Sequence, residues 1–124
     1  MEVDGHNVLP LADPDTASWN LPLSNTDYNK LIKGFEPQAM EDKWLCRADD
    51  PDTQGIVVVH MYRSWSGEEQ ISLAVAGDLN ENITNGANIV EISWDKSRLT
   101  EREAKDLAFN ICKWILGCQL GFVN

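Results

Sequence analysis

The sequence predicts an α+β domain in which a mainly antiparallel sheet of four or five strands carries helices on one face. The segments with strand character are joined by short connections rich in turn residues, as in antiparallel hairpins. The strongest helical pattern comes last, at residues 100–118. Because 124 residues is a usual length for one domain, we divide the chain into an extended N-terminal arm, residues 1–22, and one domain, residues 23–124.

The N-terminal arm has no periodic pattern of apolar residues. Pro10, Pro14 and Pro22 recur along it together with several aspartates, and proline disfavours both helix interiors and central strands. Trp19 and several leucines make the arm too apolar to be wholly solvated, so we expect part of it to lie across the domain. The alternative fold is a mixed sheet in which this arm adds an edge strand.

A short helix is expected to follow the arm. Ser24 is a preferred N-cap residue, and Asp27 favours the positive end of the helix dipole. Leu23 and Tyr28 have the spacing of a hydrophobic staple. Gly34 then predicts the end of the helix.

Four later segments have the composition of strands. They are residues 43–47, 55–63, 71–75 and 89–94. The first two are predicted to form a hairpin, because the run Asp-Asp-Pro-Asp-Thr-Gln-Gly between them consists of residues that favour turns. The Asn- and Gly-rich residues 77–88 predict a mobile loop before the last strand.

The C-terminal segment has the clearest helical signal. Thr100 and Glu103 form a capping box, and apolar residues follow at the spacing of one helical face. These residues are Ala104, Leu107, Ala108, Ile111, Trp114, Ile115 and Cys118. The pattern predicts a long amphipathic helix whose Trp114, like Trp44 and Trp94 on the strands, lies in the core.

Composition excludes several classes of partner. Ten Lys and Arg against twenty Asp and Glu give a net charge of -10, which repels nucleic-acid phosphates. The apolar stretch at residues 107–123 is interrupted by polar residues and does not predict a membrane span. Three cysteines without metal-binding spacing, in a chain that begins without a recognisable secretion signal, predict buried thiols in a cytoplasmic protein. We expect no metal and no cofactor.

Residues whose side chains could bind a ligand or take part in catalysis are concentrated where the strand predicted for residues 55–63 ends in a turn. His60 could act as an acid or base, Arg63 could bind a carboxylate or phosphate with its planar fork, and Trp65 could stack on a ring. In the structural alternative, His60 is a satisfied, half-buried histidine, Trp65 covers the sheet edge and Arg63 pairs with a nearby carboxylate. No complete enzymatic motif is present.

Two segments together resemble a known family. Residues 40–45 read Met-Glu-Asp-Lys-Trp-Leu, and residues 60–67 read His-Met-Tyr-Arg-Ser-Trp-Ser-Gly. The pair resembles a family of small, mostly uncharacterised microbial proteins with the segments Met-acidic-acidic-Lys-Trp-Phe and His-x-x-Arg-Ser-Trp-Thr-Gly. Leu45 and Ser66 depart mildly from that pattern, and the likeness covers residues 35–75. It implies no activity, but it implies one site formed by Lys43, His60, Arg63, Ser64 and Trp65.

Two functional hypotheses follow. In the first, the protein is a binding or interaction module that recognises an anionic small molecule or a protein partner through Lys43, Arg63, Ser64 and Trp65. In the second, it is a small hydrolase or transferase acting on a nucleotide-like or phosphorylated substrate, with His60 as acid or base and Arg63 stabilising developing charge. The first is favoured because the cluster contains recognition groups without visible reaction machinery. For it we predict a pocket with Trp65 as one wall and Arg63 at the floor.

Overall fold

The computed structural model describes residues 9–39, 41–76 and 87–119. The elements are β1 (Pro14–Leu23), α1 (Asn25–Lys33), β2 (Trp44–Ala48), β3 (Ile56–Arg63), β4 (Glu69–Ala76), β5 (Ala87–Asp95), α2 (Glu101–Asn110) and a π-helical segment (Ile111–Ile115). The predicted α+β class is confirmed. Most of the predicted mobile loop, residues 77–86, lies outside the described part of the chain, as do residues 1–8.

The five strands form one sheet in the order β1-β5-β4-β3-β2. Every neighbouring pair is antiparallel, as predicted for most of the sheet. The fifth strand comes from the segment assigned to the N-terminal arm, because Pro14–Leu23 pairs with β5. This pairing makes residues 14–22 an edge of the sheet. It adds them in the antiparallel sense, so the described strands do not form the mixed sheet that was the alternative.

The core lies between one face of the sheet and the helices. Val57, Val59 and Met61 alternate along β3 and are fully buried, as expected for side chains that share one face of a strand. Leu31 of α1 and Ala104 of α2 belong to the same buried cluster. Ile56, Val58 and His60, which alternate with this set, are only partly buried and lie on the opposite face of the sheet.

Both helices begin at predicted caps. The Ser24 hydroxyl accepts a hydrogen bond from the backbone N–H of Asp27. Thr100 and Glu103 form the complete capping box, in which each side chain accepts from the backbone N–H of the other residue. The sequence pattern located these two starting points because capping depends on residues close together in the chain.

The prediction of one long C-terminal helix was wrong in its length and in part of its buried face. The α-helix ends at Asn110, and the next five residues are π-helical, with the Leu116 N–H donating to the Ile111 carbonyl oxygen at 3.1 Å. A π-turn holds more residues than an α-turn, so it rotates the following side chains away from the α-helical face. Trp114 is therefore 73% exposed, whereas Trp44 and Trp94 are buried as predicted.

The three cysteines are free and buried, as predicted. Burial is the main cause that raises the pKa of Cys46 to about 12 and the pKa of Cys118 to about 11, so these thiols stay protonated at neutral pH. In the part of the chain that the structure describes, no helix is long and apolar enough to cross a membrane.

Candidate functional site

The turn between β3 and β4 places the candidate residues at one end of the sheet. The Arg63 N–H donates to the Glu68 carbonyl oxygen at 3.0 Å, and the Gly67 N–H donates to the Arg63 carbonyl oxygen at 2.8 Å. The Ser64 N–H also donates to the Lys43 carbonyl oxygen at 2.9 Å. The backbone hydrogen bonds therefore fix the turn and bring Lys43, just before β2, beside it.

A cavity of about 400 Å³ opens at this turn. Its lining residues are Lys43, Arg63, Trp65, Ser66, Glu68 and Arg98. Three residues predicted from the sequence, Lys43, Arg63 and Trp65, thus lie around one cavity. Arg98 joins them from the loop between β5 and α2. Among these side chains Trp65 is the most exposed large apolar group, at 76% of its surface.

Arg63 is held by an aromatic ring. Its guanidinium carbon lies 4.7 Å from the centre of the Trp44 ring, close enough for a cation–π interaction. Strand pairing sets this contact, because Trp44 lies directly opposite Arg63 in the β2–β3 register. Within residues 9–39, 41–76 and 87–119, neither Arg63 nor Lys43 forms an ion pair with a carboxylate.

Three carboxylates that could have paired with Arg63 have other partners. Glu68 lies 3.3 Å from Arg98, and Glu69 lies 2.6 Å from His60. The carboxylate of Asp42 accepts hydrogen bonds from the backbone N–H groups of residues 38 and 39 at 2.8 and 3.0 Å. The internal ion pair that formed the structural alternative for Arg63 is therefore absent for these three carboxylates.

Arg98 forms a second ion pair, with Asp95. The Arg98 Nε atom lies 3.4 Å from the Asp95 carboxylate. The Ser97 hydroxyl and backbone N–H both donate to that carboxylate. The hydrogen bond from the Ser97 side chain is the main cause that lowers the pKa of Asp95, and the charge of Arg98 acts in the same direction. Arg98 therefore has a charged anchor at neutral pH.

Ser64 has a different environment from its neighbours. Its hydroxyl donates to the backbone carbonyl oxygen of Asp42 at 2.7 Å, and it is not among the residues that line the cavity. Together with the bond from its N–H to Lys43, this contact ties the turn to the start of β2. The Ser64 hydroxyl is therefore engaged with the backbone, and Ser64 does not line the cavity with Lys43, Arg63 and Trp65, with which it was predicted to bind the ligand.

His60 lies away from the cavity, on the opposite face of β3. Its Nδ1 atom is 2.6 Å from the Glu69 carboxylate, and its Nε2 atom is 2.9 Å from the Asp49 carboxylate. The hydrogen bond to Glu69 is the largest cause that raises the pKa of His60 to about 9, with Asp49 adding to it. The imidazole is therefore protonated at neutral pH, stacks on Tyr62, and links two carboxylates.

A β-bulge explains why Glu69 reaches His60. His60 pairs with Ser72, but the register shifts after Met61, and Tyr62 then pairs with Glu69. The extra residue, Gln70, moves the Glu69 side chain to the face that carries His60. Bulges commonly redirect a side chain in this way.

Sequence reasoning missed two parts of this arrangement. It gave no role to Arg98, which is distant in the chain and reaches the cavity only through the strand order. It also did not pair His60 with Asp49 and Glu69. The predicted β2–β3 hairpin could have indicated the contact between Asp49 and His60. Asp49 begins the turn of this hairpin, and the pairing of the two strands places it beside β3.

Comparisons with protein-family models, with curated proteins and with solved structures found no match. The resemblance of residues 40–45 and 60–67 to a family therefore stays a prediction. Among the described residues, no group of three or more His, Cys, Asp or Glu side chains is arranged to hold a metal ion.

Proposed function

We propose that the protein binds a small anionic molecule in the cavity lined by Lys43, Arg63 and Arg98. The observation that carries this proposal is the position of Arg63. Arg63 lines the cavity, its guanidinium carbon lies 4.7 Å from the centre of the Trp44 ring, and it has no carboxylate partner in the described parts of the chain. A guanidinium held in this way can offer its planar fork to a carboxylate or phosphate.

The charge of the whole protein strengthens this inference. The chain has ten Lys and Arg residues against twenty Asp and Glu, yet three of those ten cations line one cavity. In such an acidic protein, a cation readily finds a carboxylate neighbour. Among the described residues, these three cations share the cavity lining with one carboxylate, Glu68, and Arg98 is also paired with Asp95. Lys43 and Arg63 therefore leave a local positive charge that an incoming anion would balance.

The size of the cavity favours a small molecule over a protein partner. A volume of about 400 Å³ lies within the range of roughly 300–1,000 Å³ typical of small-molecule sites. A protein partner would be expected to bury about 800 Å² of this surface. A titration of the purified protein with small anions distinguishes these two kinds of ligand, because binding is expected only if the cavity is a small-molecule site.

The alternative, a hydrolase or transferase that uses His60 with Arg63, has less support. A general base needs a nitrogen lone pair within reach of the substrate. Both ring nitrogens of His60 already contact carboxylates, and its pKa of about 9 keeps it protonated at neutral pH. His60 also does not line the cavity that contains Arg63.

The proposal is tested by titrating small carboxylates, sugar phosphates and nucleotides into the protein at low ionic strength, with calorimetry and thermal shift as readouts. We expect at least one of these anions to bind. Arg63→Lys should weaken that anion roughly tenfold, because an ammonium lacks the bidentate fork. The melting temperature should fall by no more than about 3 °C, since lysine can keep a cation–π contact.

Arg102→Lys is the matched control. Arg102 is an exposed arginine on α2 that does not line the cavity, so this change should leave anion affinity unaltered. If Arg63→Lys lowers the melting temperature strongly and leaves binding unchanged, Arg63 is a structural residue and the proposed site is wrong. Turnover of a phosphorylated compound that is lost in His60→Ala, with the fold intact, would instead support the enzyme.

A further inference from the structure

The cavity at the β3–β4 turn combines a compact group of cations with an exposed indole. From this combination we infer that the ligand is a phosphate monoester attached to a planar heteroaromatic ring, a compound of the nucleoside monophosphate class. The inference rests on the proposed function, because it names the kind of anion that the same cavity would bind.

The charge of the lining favours a dianion. Arg98 is balanced by Glu68 and Asp95, whereas Lys43 and Arg63 have no carboxylate partner among the described residues and together contribute two positive charges. A phosphate monoester carries about -1.5 to -2 charges at neutral pH and three acceptor oxygens. It can therefore bind the Arg63 fork and the Lys43 ammonium at once, whereas one carboxylate supplies two oxygens and one charge.

Glu68 adds a constraint on where the phosphate can bind. It lies 3.3 Å from Arg98, so it lowers the positive potential on that side of the cavity. Arg63 and Lys43 have no such carboxylate in the described residues. The phosphate is therefore expected on the Arg63 and Lys43 side, and Glu68 would disfavour a second phosphate next to Arg98.

Trp65 provides the surface for the ring. The indole is 76% exposed and lines the same cavity as the cations. Its turn is fixed by hydrogen bonds from Arg63 to Glu68 and from Gly67 to Arg63, so the ring is presented on an ordered backbone. An exposed aromatic face beside a phosphate-binding cluster is suited to stacking a heterocyclic base.

The cavity volume limits the size of the ligand. About 400 Å³ lies near the lower end of the range for small-molecule sites. This volume suits one ring and one phosphate group. It favours a mononucleotide over a dinucleotide, which would also place a second charged phosphate near Glu68.

The test compares four probes by calorimetry in the same buffer: 5′-AMP, ribose 5-phosphate, adenosine and inorganic phosphate. We expect 5′-AMP to bind on the order of tenfold more tightly than ribose 5-phosphate, because only the first can stack. Adenosine should bind much more weakly than 5′-AMP, because it lacks the phosphate. Equal affinity for 5′-AMP and ribose 5-phosphate would overturn the inference about the ring and leave the proposed anion site standing.

Variants at two exposed tryptophans identify the stacking residue. Trp65→Ala should reduce 5′-AMP affinity on the order of tenfold and leave ribose 5-phosphate affinity within twofold, and Trp65→Phe should recover part of the loss. Trp114→Ala is the matched control, because Trp114 is 73% exposed but does not line the cavity. An unchanged preference for 5′-AMP in Trp65→Ala would overturn the inference. If carboxylates bind but phosphates do not, the inference about the phosphate is wrong and the proposed anion site remains. If no anion binds, both the inference and the proposed function are wrong.

Discussion

His60 and Arg63 lie three residues apart on β3 and have opposite surroundings. Alternation along the strand places them on different faces. His60 contacts a carboxylate at each ring nitrogen, at 2.6 and 2.9 Å. Arg63 instead packs on an aromatic ring and lines a cavity. The histidine therefore stabilises the fold, and the arginine is the residue we propose for recognition.

The role of His60 predicts a specific dependence of stability on pH. Its pKa rises from 6.5 to about 9 on folding, so the folded state binds the proton more tightly than the unfolded state. The contribution is complete below about pH 6.5 and is lost as the pH rises through 9. After a discount for partial exposure, we expect it to be about 1–2 kcal/mol of the free energy of unfolding.

Urea denaturation of the wild-type protein and His60→Gln at pH 6.5 and at pH 9.5 measures this contribution. The variant should be less stable than the wild type at pH 6.5, and the difference should shrink at pH 9.5. Thiols, lysines and tyrosines titrate in both proteins, so their effect cancels in the comparison. A difference in unfolding free energy that stays constant between the two pH values would show that His60 is not a charged link.

The junction between α1 and β2 depends on a glycine that no other residue can replace without strain. Gly34 has φ 73° and ψ -162°, a region of the backbone map that is almost exclusive to glycine. A Cβ atom at this position would also overlap the backbone carbonyl oxygen of Cys46. That carbonyl accepts the Phe35 N–H at 3.0 Å, a contact that covers the outer edge of β2.

Gly34→Ala should therefore lower the free energy of unfolding by about 3 kcal/mol or more, measured by urea denaturation. Gly117→Ala is the control, because Gly117 also has a positive φ, of 79°, but a Cβ there would meet only the flexible end of Lys30 at 3.8 Å. We expect the control to cost about 1 kcal/mol. If both variants lost the same free energy of unfolding, the overlap with the Cys46 carbonyl oxygen would not contribute to the destabilisation of Gly34→Ala.

Elements that depend on residues close together in the chain could be predicted from the sequence, whereas those that depend on distant residues could not. The caps at Ser24 and Thr100 and the strand segments depend on neighbouring residues, so the sequence pattern located them. The bulge that aims Glu69 at His60 depends on pairing between two strands. The π-helical segment that exposes Trp114 depends on how the helix packs. Neither leaves a local pattern in the sequence.

At the scale of the whole molecule, the fold brings cations together in a protein of net charge -10. The prediction from sequence placed Lys43, Arg63 and Trp65 near one turn, because the β2–β3 hairpin and the following turn are close in the chain. Arg98 arrives from the loop after β5, and β5 lies beside β4 in the sheet. Local patterns could not show this contribution, which depends on the order of all five strands.

The binding of an anion beside Arg63 is tested most directly by nuclear magnetic resonance of the side chains in the cavity. One ¹⁵N-labelled sample is titrated with 5′-AMP and a second with inorganic phosphate. The spectra report on the Arg63 Nε–H and the Trp65 indole N–H separately. We predict that both anions shift the Arg63 signal, that 5′-AMP shifts the Trp65 signal more than phosphate does, and that the Trp114 indole stays in place. Unchanged Arg63 and Trp65 signals, or shifts centred on Asp49 and His60, would contradict the proposed site.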